Sequence, residues 1–169
     1  MGNIEGWFAT PVYYADIRTA RINEEIESYL TNSPMHSALD TWNDDVDTTY
    51  TSGKTDNTLM DTCPTFKSAV LANAQEFLMG INYFGAELEI TESWANQTAR
   101  GQYQNAHEHG TSADISGAYY HKSIGEKKQG QLVFADPSLA ARISKPMGQQ
   151  SHTAQYTAHA GRLILFPSF

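Results

Sequence analysis

A chain of 169 residues, 40% of them apolar and 11% aromatic, has the size and composition of one folded domain with its own core, which excludes disorder and a dependence on disulfide staples. The formal net charge is −8, and the 11 basic residues are scattered, with Lys127-Lys128 the only adjacent pair. Direct binding to nucleic acid is therefore not expected, because counterion release needs a concentrated basic face.

The amino-terminal "MGNIEGWFATPVYY" lacks the basic start and long apolar run of a signal peptide. No stretch approaches about 18 uninterrupted apolar residues, so no membrane span is expected. The single cysteine, Cys63, has no second thiol with which to pair or share a metal. These features suit a reducing, cytoplasmic compartment.

In chain order, the alternating run from Trp7-Phe8 through Val12 and Tyr14 reads as a strand interrupted by Pro11. "TARINEEIESYL" follows with Ile22, Ile26, Tyr29 and Leu30 at helical spacing. Residues 31–61 are polar and turn-rich, without a period. Within them "SGKT" at 52–55 imitates part of a phosphate loop, but Thr48 stands where that loop needs its first glycine. The spacing next predicts a helix from about Pro64 to Asn82, with Phe66, Val70, Phe77, Leu78 and Ile81 on one face to cover a sheet. Beyond Gly85 the period changes. "ELEITESW", "ISGAYYH", "GQLVFADP", "AQYTAH" and "GRLILFPSF" are short β-type runs broken by Gly, Pro, Asp or Ser. The expected fold is a single domain over 1–169, mostly β with flanking helices: a helical segment at about 20–84 and a β core at about 86–169.

The chemistry concentrates in "QNAHEHG", residues 104–110. In an extended chain His107 and His109 share a face, about 6–7 Å apart at the backbone, and their imidazoles can converge on one ion. Imidazole suits iron, zinc, nickel or copper, so the pair does not name the metal. A lone H-x-H equally suits exposed or hydrogen-bonded histidines, and spacing alone leaves both readings open. His121 and His159 read as surface or hydrogen-bonded residues ahead of a third-ligand role, Arg162 as a surface residue ahead of one that faces the barrel and pairs with a carboxylate, and Tyr119 and Tyr120 as facing opposite sides of one strand.

"ESWANQTARGQYQNAHEHGTSADISGAYYHKS", followed by "GQLVFADP" and "AGRLILFPSF", resembles the 2-oxoglutarate/Fe(II) oxygenases common in bacteriophages and marine bacteria. Their pattern has a Trp-Asn-like segment, a G-x-Y, an H-x-H, then S-G-x-Y-Y, a G-x-L-x-F-x-D-P strand and G-x-L-x-x-F-P-S; "ATPVYY" and the preceding helix fit as well. The resemblance implies a double-stranded β-helix, the jelly roll shared with cupins. It implies Fe(II) as cofactor and 2-oxoglutarate as cosubstrate, with oxidation of a substrate C–H bond coupled to decarboxylation. Carried over by position, His107 is the proximal metal ligand and His109 takes the place of the usual carboxylate. Tyr103 resembles the tyrosine that binds a 2-oxoglutarate carboxylate in prolyl hydroxylases, at an offset that differs by one residue. A phage origin would make a virion location the alternative to the cytoplasm.

Two departures qualify the reading. The second ligand position is a histidine, with Asp114, five residues on and off the motif, as an alternative ligand. The sequence also reaches "FPSF" without the distal histidine and 2-oxoglutarate-anchoring arginine of relatives. An apolar strand in that position is expected to leave an unpaired edge, to be covered by a partner chain or a second copy. A cupin-type metalloprotein and a non-catalytic assembly or binding module of a phage particle are the competing readings.

Overall fold

The structure is a computed structural model, and it describes residues 10–39, 45–51, 59–110, 112–124, 130–136 and 153–168. Trp7, Phe8, the "SGKT" stretch, Lys127-Lys128 and Pro137 fall outside these residues. Strand β1 (Tyr13–Asp16) begins just after Pro11, whose missing N–H would interrupt a ladder. Thr19 then starts α1 (Ala20–Asn32), its hydroxyl oxygen accepting the Ile22 N–H at 3.1 Å. The helix stops where Ser33 takes extended backbone ahead of Pro34.

Helix α2 (Leu59–Thr62) is a single turn leading into α3 (Pro64–Gly80). The N-cap of α3, Cys63, makes no side-chain capping bond. The cap comes from α1 instead: buried Glu25 accepts the Thr65 and Phe66 N–H groups at 2.9 and 3.1 Å and pairs with Arg21 at 3.2 Å. Burial pushes this carboxyl up, but the bonds from Thr65 and Phe66 and the Arg21 charge outweigh it and leave its pKa below the usual value. At the other end the helix finishes two residues before the expected Asn82. Asn82 adopts φ 61°, and the Tyr83 and Asn82 N–H groups return to the Leu78 and Met79 carbonyls, a Schellman closure.

Among the described residues three antiparallel sheets accompany the helices. The small one joins β2 (His36–Ser37), β3 (Asp47–Thr48) and β4 (Asn96–Gln97), inside and beside the stretch that showed no period. The main sheet has the order β1-β8-β5, with β5 at Ile115–Tyr119 and β8 at Arg162–Pro167. Its register pairs Tyr13 with Leu165 on one side and Gly117 with Leu165 on the other. The remaining pair is β6 (Leu132–Ala135) with β7 (Thr153–Tyr156).

This order corrects the expected open edge. Strand β8 is central, and the chain's own β1 and β5 occupy both of its hydrogen-bonding sides. The residues explain it: Leu163, Ile164 and Leu165 are all buried, so both faces of β8 need cover. Leu163 and Leu165 join Tyr13, Ile115 and Tyr119 against Ile22, Ile26, Phe66, Val70 and Phe77 of the helices. On the opposite face Phe134 of β6 stacks edge-on against Phe166 at 4.7 Å, and Tyr156 of β7 lies 6.1 Å from Tyr14. The sheet is thus covered by helices on one side and by a second pair of strands on the other.

Two glycines are fixed by this packing. A Cβ on Gly117 would sit 2.8 Å from Leu165 Cδ2, which accounts for the glycine in S-G-x-Y-Y. Gly161 has φ 98°, and a Cβ there would lie 2.6 Å from that of Arg18. The run Glu87–Trp94, expected as a strand, forms only an isolated bridge at Ser93. Its backbone is engaged elsewhere: the Ser93 carbonyl and hydroxyl oxygens accept the Leu59 and Met60 N–H groups of α2. Among the described residues no helix is long and apolar enough to cross a membrane.

Candidate functional site

The segment from Gly101 to Gly110 is irregular, which corrects the extended strand expected over Gln104–His109. Gly101 at φ 89° and Gly110 at φ 48° turn the chain at its two ends. One backbone bond ties it to the main sheet, from the His109 N–H to the Ser168 carbonyl at 3.1 Å. The next turn closes on His109 too, since the Ser112 N–H and hydroxyl both donate to its carbonyl, at 3.0 and 2.6 Å.

The two imidazoles converge without the strand. Their centroids are 5.2 Å apart and the rings stand edge-on at 81°. His107 is exposed, and its Nδ1 lies 2.8 Å from the Asn105 carbonyl oxygen. A carbonyl can only accept, so the neutral ring carries its proton on Nδ1 and leaves the Nε2 lone pair free. His109 is half-buried. Burial lowers its pKa, the neighbouring His107 lowers it further, and the Glu92 carboxylate acts in the opposite sense. His109 therefore favours the neutral form that a metal ligand requires.

Trp94 walls the pair, its ring 6.1 Å from that of His109 and 5.1 Å from that of Tyr50. The small sheet supports this wall. The Ala95 N–H donates to the Thr49 hydroxyl at 3.0 Å and the Thr49 N–H to the Ala95 carbonyl at 2.9 Å, next to the fully buried Thr48. Sequence reasoning missed Tyr50 and the support it gives to Trp94. The available signal was weak: aromatic residues 44 positions apart, one inside a stretch with no period.

Among the described residues no hydrogen bond joins the other candidates to the pair. Tyr103 is 66% exposed. His121 is engaged by Glu27 of α1 at 2.9 Å, and Arg162 holds Asp16 through two bonds while lying 5.3 Å over the Tyr14 ring. His159 and the Asp114 side chain are exposed. Tyr119 packs on Phe66 at 4.7 Å. Among the described residues no group of three or more His, Cys, Asp or Glu side chains is placed to hold a metal ion. The donor set is thus two converging imidazoles, and these fit a metal with other positions left open.

The class defined so far is a domain of antiparallel sheets flanked by helices, with a histidine pair at the end of its main sheet. Comparison with protein families adds a particular likeness. The family model described as "Putative 2OG-Fe(II) oxygenase" matches residues 92–169, just under half of the chain. The match begins at Glu92 and contains Trp94, the histidine pair and strands β5 to β8. No curated protein matches the chain.

Proposed function

We propose that this chain carries a double-stranded β-helix domain of a non-haem Fe(II)/2-oxoglutarate-dependent oxygenase, with His107 and His109 as metal ligands. The observation that carries the reading is the edge-on approach of two imidazoles, one with its Nδ1 turned to a backbone carbonyl, inside the segment that the family model matches. The aromatic layer of Phe134, Tyr156, Phe166 and Tyr14 between two sets of strands agrees with the facing sheets of such a domain.

When bound, Fe(II) with 2-oxoglutarate supplies oxidative decarboxylation coupled to oxidation of a C–H bond. The chain's own residues set the conditions. The Asn105 carbonyl fixes the His107 tautomer and ring direction, the usual task of a partner behind a metal-binding histidine. Trp94 keeps water from one side of His109 and helps hold it neutral. Tyr103, four residues before His107 and exposed, is the contact for a 2-oxoglutarate carboxylate.

The test is metal content after anaerobic Fe(II) loading of the full chain, for wild type and the His107→Ala/His109→Ala double variant. One iron per chain that disappears in the double variant is the expected result, followed by 2-oxoglutarate-dependent formation of succinate. A wild type that takes up no iron would sink the reading and leave an assembly or binding module.

A further inference from the structure

We propose that Ser168, held by Ser116, is a positioning residue for the histidine pair; the link to metal binding rests on the reading above. Ser168 is 5% exposed and has all three of its polar groups engaged. Its N–H donates to the Asp114 carbonyl at 3.2 Å, its carbonyl accepts the His109 N–H at 3.1 Å, and its hydroxyl meets that of Ser116 at 2.9 Å. His109 and Asp114 are therefore both fastened to this one residue.

Ser168 lies just past the sheet. The last register pair is Ile115 with Pro167, and Pro167 has no N–H to offer. The hydroxyl pair adds one more link between β5 and the residue after β8, whose carbonyl holds His109. Among the described residues no hydrogen bond joins Ser116 to either histidine, so its effect on the site must pass through Ser168. Partners bonded directly to a metal ligand typically change metal affinity by about 10–100-fold, and a hold on the backbone of His109 should act at the low end of that range.

The experiment compares Ser116→Ala, Ser116→Thr, Ser168→Ala and a control, Ser123→Ala, in the full chain. Ser123 donates its hydroxyl to the Ala158 carbonyl at 2.7 Å, away from the site, so its loss reports ordinary destabilisation. Two quantities are read: amide hydrogen exchange of His109 in the metal-free protein, and Co(II) affinity by competition with a chelating dye. Ser116→Ala and Ser168→Ala should each speed His109 exchange and weaken Co(II) about tenfold. Ser116→Thr should restore both, and Ser123→Ala should move neither beyond its effect on global stability. Unchanged His109 exchange in both serine-to-alanine variants overturns the positioning role. Faster exchange with unchanged Co(II) affinity overturns its link to the metal. A wild type that binds no Co(II) overturns the metal reading, and exchange alone then decides whether Ser168 holds His109.

Discussion

The helix-covered face of the main sheet and the histidine segment beside it are built on opposite terms. The first is a continuous apolar contact in which Leu163, Leu165, Ile22, Ile26, Phe66 and Phe77 are each under 5% exposed. The second is an irregular stretch between two left-handed glycines, exposed over most of its length and tied to the sheet through Ser168. Burial supports the framework, while a few directed hydrogen bonds place the imidazoles. Stability and site geometry should therefore respond to different substitutions, and each prediction below probes that separation.

Leu165→Ala should have the largest effect on folding. The side chain is buried at the centre of the sheet against both Gly117 and the helices, and its truncation should cost about 3 kcal/mol in chemical denaturation. Gly161→Ala comes next at about 2 kcal/mol, since φ 98° and the close Arg18 contact leave no room for a methyl group. Recovery of Gly161→Ala to wild-type stability by Arg18→Gly would show that the contact, rather than the dihedral angle, dominates.

Glu25→Gln weakens the cap that α1 gives α3 and should lower Tm at neutral pH by about 3 °C. Its pH dependence has a definite sign. The unfolded carboxyl takes its proton near the usual 4.5 and the folded one at lower pH, so the unfolded chain holds the extra proton in between. Stability from Glu25 is present above that usual value and is lost as pH falls through the folded pKa. The Tm gap between wild type and Glu25→Gln should narrow between about pH 6 and about pH 3; a gap that widens would show that the folded carboxyl is not stabilised as an anion. The smallest effect on folding belongs to the His107→Ala/His109→Ala double variant, under about 0.5 kcal/mol in the metal-free protein. A larger loss would mean that the imidazoles help support the framework, and the comparison would need to be redrawn.

How much of this was legible depends on the range of the interactions. Helix α3 was readable from its apolar spacing and Pro64, both local signals, and so were the runs that became β5 to β8. Their pairing was not. Placing β8 between β1 and β5 joins Tyr13 to Leu165, and no local pattern encodes a contact across that distance. The polar stretch before Leu59 hid strands of two residues held by threonine hydroxyls, which leave no hydrophobic period. Glu25 did leave a trace, as an acid among Ile22, Ile26 and Tyr29 on the inward face of α1. At the site, the histidine pair was found from spacing, although the extended strand assumed for it is not what brings the rings together. Trp94 was visible within the family-like segment, but its role as a wall required the fold.

The central place of β8 also has a consequence for how the molecule is made. The two long helices can meet early, because α1 and α3 are near neighbours in the chain and Glu25 already caps the second. The main sheet cannot form until residues 162–167 have been synthesised, since β1 and β5 touch each other only through them. Such long-range closure is slow, and it leaves the helices' apolar face and the two outer strands exposed during synthesis. The histidine turn is a late product of that process. Its anchor, Ser168, follows the strand that closes the sheet, so the site takes shape only after the framework has done so.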